Sequence, residues 1–470
     1  MRKLAAVLAL VVAGCNFAPT YERPKSPVGA DFGNANGQGL AAADRGWREV
    51  FGDPRLQRLI EIALANNRDL RVSALNVQIS QATYRIERAP LLPTVSGVGS
   101  ATVVGTEDGI SPSGAGLNSY RVGLSVSYEL DLWGRVRNLS EAALQDYFSS
   151  VYSHRAAHLS LVNEVVTQYL RQRAYEEELV LAEQTVKLVD EGVALTRRLF
   201  EAGQRSDLDT STAEAQLYAV RAEVFRLQRE RQQAANAIAL LIGQAIPTDL
   251  PEAQPLESQA IVADLPAGIP SEVLLRRPDV LSAEHALMAA NANIGVARAA
   301  FLPQISLTAF GGVASTTLGN LFSGGFAWSA GGNLAAPLFN YGRNRATLDV
   351  SKLRKLQQVA SYERSIQIAF REVADALIAR STLEDQLKAV VARAEAETKR
   401  YNLSEMRYRS GIENYQTVLL SQQDLYSTQQ QLIELRLSRL VNLADLYLAL
   451  GGGWRDSATN ANDGGREARQ

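Results

Sequence analysis

The chain has 470 residues, of which 46% are hydrophobic and 21% charged, and its formal net charge at pH 7 is −2. A chain of this length can hold about two to four ordinary domains. Near-neutrality leaves no basic field for nucleic acid, and three His and three Met argue against a dedicated transition-metal catalyst.

The N-terminus has the pattern of an export signal. A short basic region precedes a brief apolar run, and small residues then precede Cys15, the only cysteine. This arrangement resembles the lipobox of bacterial lipoproteins, in which cleavage precedes an acylated cysteine. We therefore predict a signal peptide over 1–14 and a lipidated arm over 15–46, and Asn16 favours sorting to the outer membrane. The alternative is an exported protein with an incidental cysteine.

Residues 47–243 form a first structural repeat. Asp53-Pro54 is typical of a helix start, and we predict a helix to about residue 88, bent near Asn66-Asn67. The elements that follow are strands at about 94–106 and 119–132, long helices at about 134–200 and 207–242, and an irregular proline-rich connector over 244–270.

The second of these strands alternates over about 13 residues, which at ~3.4 Å each is long enough to cross a bilayer at a tilt. A half-buried strand in a soluble sheet is the alternative. The chain has no later apolar run of the ~18 residues that a transmembrane helix needs, so a membrane-spanning form would require a closed β-barrel. The apolar face of the strand comprises Tyr120, Val122, Leu124, Val126, Tyr128, Leu130 and Leu132.

Residues 271–453 form the second repeat, and a flexible tail follows over 454–470. We predict strands at about 303–314 and 325–339 and helices at about 342–408 and 415–450. A helix of about 67 residues is ~100 Å long, far more than a compact enzyme needs. The return helix has a strict seven-residue repeat, which is typical of helices that supercoil on partners: Leu419, Tyr426, Ile433, Leu440 and Tyr447.

The two halves are related by a nearly constant shift. Trp133-Gly134-Arg135 corresponds to Tyr341-Gly342-Arg343 at a shift of 208, and Leu92-Pro93 corresponds to Leu302-Pro303 at a shift of 210. Glycines at 203 and 243 recur at 411 and 451. A constant register over this distance indicates an internal duplication.

Two repeats supply four long strands, and the smallest natural transmembrane barrels have about eight. The barrel must then be shared between chains. Small residues on the non-apolar strand faces fit an open lumen better than a filled one, so we predict twelve strands from a homotrimer. Because the helices continue directly from the strands, they should extend the same wall as a helical barrel into the periplasm.

Five segments in this order resemble the outer-membrane factors of the TolC superfamily, and the lipobox with LLRRPD resembles the OprM/NodT-like efflux lipoprotein branch. The resemblance covers nearly the whole mature chain. The segments are WREVFGDPRL (47–56), YELDLWGR (128–135), PSEVLLRRPDV (270–280), FLPQIS (301–306) and LALGGGW (448–454).

The resemblance implies a mainly α protein with membrane β-structure. It would be a homotrimeric duct with a shared twelve-stranded β-barrel, a long α-helical barrel and an equatorial domain that includes the connector. It also implies a periplasmic adaptor and an inner-membrane pump of the resistance-nodulation-division class, with no cofactor and no covalent chemistry. The function implied is efflux of drugs, toxic compounds or metals through the outer membrane.

Two sites follow from the resemblance. The helix-hairpin tips would meet the adaptor, and the periplasmic aperture would be narrowed by side chains of the second return helix. Relatives place Leu, Asp and Arg there, so this chain departs from the pattern at two charged positions. The tip candidates are Arg198, Leu199, Gly203, Arg407, Tyr408 and Gly411; the aperture candidates are Gln416, Leu420, Gln423 and Asp424.

Three alternative functions fit parts of the pattern. A metal enzyme would use His154 and His158, which are four residues apart on a helix, but no matching ligands accompany them. A coiled-coil surface stalk would leave the alternating strands unexplained. An outer-membrane channel for type I protein secretion is the nearest alternative, although such channels usually lack the lipobox and LLRRPD.

Overall fold

The computed structural model describes residues 16–29, 45–103, 118–204, 206–259, 261 and 276–452. The predicted signal peptide, Cys15 and the tail 454–470 lie outside these residues. So do residues 30–44 of the arm, 104–117 between the first two strands, and 262–275 at the end of the connector and after it. The described chain divides into two compact units.

Unit 1 comprises Met1–Lys25, Leu75–Val151 and Ser282–Arg364. Its centre is a four-stranded antiparallel sheet in the order β1-β2-β3-β4. The first repeat contributes β1 and β2, and the second repeat contributes β3 and β4. The two middle strands, one from each repeat, pair with each other, for example Ser127 opposite Thr308. The strands are β1 Thr94–Thr102, β2 Ser119–Glu129, β3 Gln304–Ser315 and β4 Phe326–Ala335.

Two strands end earlier than their predicted limits of 132 and 339, for physical reasons. β2 stops at Glu129 because the carboxylate of Asp131 turns to accept the backbone N–H groups of Val136 (3.0 Å) and Arg137 (2.9 Å), which caps the next helix. β4 stops at Ala335, just before Pro337, which has no N–H for a ladder.

The strand-to-helix junction of the first repeat explains the YELDLWGR motif. Gly134 has φ +71°, which a residue with a side chain rarely adopts. Arg135 then pairs with Glu129 at 2.7 Å, and the indole Nε1 of Trp133 donates to the carbonyl of Pro303 at 2.7 Å. The motif therefore fixes the direction in which the helix leaves the sheet.

Unit 2 comprises Ser26–Ala74, Tyr152–Leu281 and Ser365–Gln470. Its apolar core includes Trp47 and Phe51 at 1% exposure each. The buried Asp53 caps the next helix through Arg55 N–H (2.8 Å), and its other oxygen accepts from the hydroxyl of Tyr169 at 2.6 Å. The WREVFGDPRL motif thus supplies both the core and the cap of this unit.

The two longest helices have 67 residues each, as the sequence predicts. Within the described ranges, no helix combines the length and apolar character needed to cross a membrane. The helices are α1 Trp47–Val50, α2 Pro54–Asn66, α3 Arg68–Arg88, α4 Arg135–Glu201, α5 Asp207–Ile242, α6 Pro278–Ala299, α7 Arg343–Arg409 and α8 Tyr415–Ala449.

Backbone geometry repeats at the shift read from the sequence. Among the described residues, all six glycines with positive φ form three pairs related by that shift: Gly134 with Gly342, Gly203 with Gly411, and Gly243 with Gly451. In each repeat, the first of these glycines directly precedes a long helix, the second lies in the turn between the helices, and the third follows the end of the return helix. The two halves therefore share one backbone plan.

Candidate functional site

The candidate site lies in unit 2, where each pair of long helices turns back. The turn after α4 is a Schellman motif in which Gly203 N–H bonds to Phe200 O (2.8 Å) and Gln204 N–H to Leu199 O (2.9 Å). The turn after α7 repeats it, with Gly411 N–H on Tyr408 O (2.9 Å) and Ile412 N–H on Arg407 O (3.0 Å). Both hairpins therefore turn in the same way.

The start of each return helix is capped by a side chain. Ser206 Oγ accepts the N–H of Leu208 at 3.2 Å, and Asn414 Oδ1 accepts the N–H of Thr417 at 3.0 Å. A cap at this position satisfies one of the N–H groups left free at the helix start. The caps and the glycines together fix the backbone conformation of both hairpin tips.

An apolar cluster packs the two hairpins together behind the tips. Its centre is a pair of tyrosine rings, Tyr408 and Tyr415, with centroids 5.5 Å apart. Burial, followed by the neighbouring Tyr408, raises the pKa of Tyr415 to about 12. A Cβ atom on Gly192 would lie only 3.1 Å from the Tyr415 hydroxyl, so α4 and α8 approach closely here. The cluster also contains Val189, Val193, Ala213, Leu217, Val418 and Leu419.

The tip candidates occupy different environments. Gly203, Gly411 and Arg198 are exposed, whereas Tyr408 is only 5% exposed and belongs to the apolar cluster. Leu199 packs against the same cluster, and Arg407 pairs with Glu413 at 3.5 Å. The surface of the tips is therefore formed by the glycine turns and the arginines, with Tyr408 supporting them from behind.

The aperture candidates lie on the first turns of α8. Tyr415, Val418 and Leu419 face the apolar cluster, while Leu420 is 49% exposed and Gln416 is exposed one turn earlier. Residues four apart share a helix face, so these two form one exposed stripe. An exposed leucine beside the packed face is the feature expected of an apolar constriction.

The other two candidates are tied to neighbouring helices. Gln423 donates to the side-chain oxygen of Gln216 on α5 at 2.7 Å. Asp424 forms an ion pair with Arg400 on α7, and Arg400 also contacts Glu397 at 2.9 Å. The structure thus gives the Asp424 carboxylate a cation partner, which offsets its negative charge.

A cleft of about 480 Å³ opens beside the tip cluster between α4, α7 and α8. Its wall combines the buried tyrosines with charged groups, including Glu191, Arg198, Glu405 and Arg409. Sequence reasoning did not find this cleft, because it forms between α4 and the α7–α8 hairpin, which are far apart in the chain. The only sequence signal was the glycine at position 192, which permits the close approach.

Sequence reasoning also missed the role of Arg277 in the LLRRPD motif. Its side chain is 8% exposed and bonds to Asp279 and Glu372, each at 2.8 Å. It also donates to the carbonyl of Ala449 at the end of α8, at 3.0 Å. The motif therefore secures the C-terminus of the helix that carries the aperture candidates.

The metal-enzyme hypothesis depends on His154 and His158, which are four residues apart on α4. His154 Nδ1 lies 3.2 Å from the hydroxyl of Ser73. Among the residues that the structure describes, no group of three or more His, Cys, Asp or Glu side chains is arranged to hold a metal ion.

Comparison with protein families gives one match that covers most of the chain. A family model described as "Outer membrane efflux protein" matches residues 59–244 and again residues 269–452. The starts and the ends of these two ranges are offset by the same pair of shifts that relates the two halves of the sequence. The family model thus recognises each repeat separately.

Curated relatives are similar over almost their full length. The probable efflux pump outer membrane protein TtgC of Pseudomonas putida is 45% identical over 468 residues, covering 97% of this chain and 96% of that protein. The cation efflux system protein CusC of Escherichia coli is 40% identical over 454 residues, covering 95% and 98%.

Solved structures agree with the fold. The open state of the MtrE outer membrane channel of Neisseria gonorrhoeae has a TM-score of 0.86 and 42% identity, covering 94% of this chain and 99% of that one. A structure of CusC has a TM-score of 0.85 and 39% identity, covering 93% and 100%. The predicted TolC-like fold class is therefore confirmed.

Proposed function

The chain belongs to the outer membrane efflux protein family, and from this we propose that it is the exit duct of a tripartite efflux system. In this role it receives small molecules from an inner-membrane pump through a periplasmic adaptor and releases them outside the cell. The observation that carries the proposal is the match of both repeats to one channel family. The prediction that the protein is a channel and not an enzyme is confirmed by the same membership.

Channels of this family are outer-membrane trimers that work with adaptors and pumps in tripartite systems. For this chain we propose a periplasmic adaptor that docks on the hairpin tips and a pump of the resistance-nodulation-division class. The exposed arginines Arg198 and Arg407 and the glycine turns at 203 and 411 support this surface. A glycine has no side chain that would keep another helix hairpin at a distance. Gly411→Trp should then prevent chemical cross-linking of this chain to the adaptor, while the protein itself remains a trimer.

The cargo we propose is a small toxic compound. Relatives at 45% identity are named as antibiotic and toluene efflux proteins, and one at 42% as a solvent efflux protein. CusC, at 40%, is named for cations. Since the names of the more similar relatives refer to organic compounds, we favour these over metals, and over proteins exported by type I secretion.

Complementation tests this function. A host that lacks its own outer-membrane efflux channels should regain dye export and solvent tolerance when it expresses this chain together with the adaptor and the pump that work with TtgC. Cells that accumulate dye as strongly as the empty-vector host, despite normal amounts of the protein in the outer membrane, would contradict the proposal.

For the closed aperture we propose that Leu420 forms the narrowest apolar ring and that Arg400 neutralises Asp424 beside it. Leu420→Ser should raise single-channel conductance in planar bilayers. Leu208→Ser is the matched control, because Leu208 is an exposed leucine in the first turn of the other return helix. Equal conductance of Leu420→Ser and wild type would mean that the constriction lies elsewhere.

The ion pair between Arg400 and Asp424 should affect the ion selectivity of the channel. Arg400→Gln leaves the carboxylate of Asp424 without its partner on α7 and should increase selectivity for cations, because fixed negative charge at a constriction attracts them. The double variant Arg400→Gln/Asp424→Asn should return to the wild-type selectivity. Unchanged reversal potentials in Arg400→Gln would show that this pair does not face the lumen.

We further propose that acylation of Cys15 anchors the mature N-terminus. Support comes from the residues that follow it, which lie extended along α6 of unit 1. Arg23 forms two bonds to the buried Glu284 (2.6 and 2.8 Å), and the carbonyl of Phe17 accepts from Arg298 at 3.0 Å. The N-terminus is thereby held near Trp133, whose ring centroid is 6.4 Å from that of Phe17. Labelled palmitate should enter the wild type and not Cys15→Ser.

A further inference from the structure

Two clefts open between the helices of unit 1. The first, of about 340 Å³, lies between α3, α4 and α6, and the second, of about 290 Å³, lies between α4, α6 and α7. Asp146 on α4 and Asn293 on α6 line both of them. Because the clefts share these two side chains, they open on the same side of the helices.

The N-terminal arm covers the other side of α6. Three side chains of α6 bond to the arm: Glu284, Asn291 and Arg298. In a helix with about 3.6 residues per turn, these three point in similar directions, and Asn293 points about 160° away from their mean. The arm and the two clefts therefore lie on opposite sides of α6.

The position of the arm indicates which side of α6 faces the lumen of the proposed duct. The arm begins directly after Cys15, and the acyl chains proposed for this residue must reach the membrane around the duct. The arm then lies on the outer surface, and the clefts on the opposite side of α6 face the lumen. Cargo that leaves through the duct passes these clefts.

Asp146 carries a charge that the protein does not compensate. Its carboxylate has no ion pair and no side-chain hydrogen bond with any other residue that the structure describes. Burial raises the pKa of Asp146, and no neighbouring cation lowers it. A partly desolvated carboxylate without a partner is stabilised by a cation that comes within a few ångströms of it.

The first cleft combines negative charge with an apolar wall. Glu87 on α3 is its second carboxylate, and among the described residues no Lys or Arg side chain lines it. Arg135 interacts electrostatically with Glu87, but its guanidinium already forms two bonds to Glu129, at 2.8 and 2.7 Å. The apolar wall consists of Leu139, Ala142 and Ala143. This lining fits a molecule that has both a positive group and an apolar body.

The second cleft uses equivalent positions but has a different charge pattern. At the shift of 208, Asp146 corresponds to Arg354, which lines the second cleft. At the shift of 210, Asn293 corresponds to Thr83, which lines the first cleft. Equivalent faces of the two repeats therefore border the clefts, and Arg354 makes the second cleft unfavourable for a cation.

We propose that the first cleft is a subsite in the lumen that binds small organic cations, such as protonated amines and quaternary ammonium compounds, as they leave the cell. It rests on the proposed function and narrows the class of cargo. Asp146 and Glu87 attract the positive group, while the leucine and alanine side chains contact the apolar body. A metal ion fits less well, because the described residues contain no group of three or more His, Cys, Asp or Glu side chains arranged to hold one.

Binding of ethidium, a fluorescent organic cation, to the purified protein in detergent tests the subsite. Asp146→Asn should weaken this binding about fivefold, which is the upper range for one exposed ion pair, and Asp146→Glu should retain it. Glu141→Gln removes a carboxylate of α4 that lines neither cleft and should bind ethidium as wild type does. Benzyltrimethylammonium should displace ethidium, whereas the neutral benzyl alcohol at the same concentration should not.

Thr83→Trp provides a second test, because it fills the first cleft without changing its charge, and the exposed position of Thr83 accommodates a larger side chain. It should weaken ethidium binding to a similar extent. Equal binding by wild type, Asp146→Asn and Thr83→Trp would overturn the subsite, as would displacement of ethidium by benzyl alcohol. If wild type still supports dye export in the complementation test, either result leaves the proposed function intact. Failure of wild type in that test would overturn the proposed function itself.

Discussion

Glu178 should make the stability of unit 2 depend on pH. Its side chain is 7% exposed, and its nearest cation, Arg226, is 4.0 Å away. That guanidinium is already bonded by Glu223 at 2.5 Å and Glu230 at 2.8 Å. Burial first, and then the negative charge of Glu434, raise the pKa of Glu178 to about 7. The carboxyl is therefore protonated well above its ordinary range.

The sign and size of the effect follow from this pKa. A carboxyl whose pKa is higher in the folded state takes up a proton on folding, so the free energy of unfolding falls as pH rises from about 4.5 to about 7. The difference between these values corresponds to roughly 3 kcal/mol per chain above the window. Glu178→Gln cannot ionise, so it should be more stable than wild type at pH 8 by up to that amount, and the gain should disappear near pH 4.5.

Thermal unfolding of the detergent-solubilised protein, followed by circular dichroism between about pH 4.5 and 8, measures this difference. The Tm of Glu178→Gln should fall less with rising pH than that of wild type. Glu183→Gln removes an exposed carboxylate of the same helix and should follow the wild-type profile. Parallel profiles for Glu178→Gln and wild type would show that Glu178 is ionised in the folded protein and that burial does not raise its pKa.

Three further changes probe the supports of the site. Arg277→Met leaves two carboxylates and a helix-end carbonyl without their donor, and should lower stability by about 3 kcal/mol in a thermal melt, whereas Arg276→Met, at an exposed position, should change it little. Gly411→Ala forces a side chain into φ +73° and should cost about 1 kcal/mol, with faster amide exchange confined to the hairpin tip; protection equal to wild type would refute the strain. Tyr169→Phe removes the 2.6 Å bond to Asp53 and should cost about 1–2 kcal/mol in chemical denaturation, and an unchanged midpoint would show that water replaces the hydroxyl.

The repeat and the long helices could be derived from the sequence because their signals are local and periodic. The seven-residue spacing on α8 places Leu419, Ile433, Leu440 and Tyr447 on one face, and all four are buried. The turn glycines could be placed because a left-handed backbone requires them. Strand ends were less predictable, since β2 ends where Asp131 folds back as a cap, and alternation of side chains continues past that point.

The site was only partly accessible to sequence reasoning. Exposure of Leu420 could be anticipated from its helix face, and Leu420 remains a predicted constriction. The ion pair of Asp424 with Arg400 could not be anticipated, because the two lie on opposite helices of a hairpin whose register depends on side-chain packing. The burial of Tyr408 was missed for a related reason, since its partner Tyr415 becomes its neighbour only when the turn closes.

The pairing of turn glycines between the two repeats has a consequence for how such a channel can evolve. A ring made from a single unduplicated unit would display every side chain at all of its equivalent positions, so any substitution would be repeated around the whole circumference. After fusion, the two halves belong to one chain and each can acquire its own substitutions. Leu420 corresponds to Thr212 in the first half, so a larger apolar side chain at one position can alternate around a ring with a smaller polar side chain at the other.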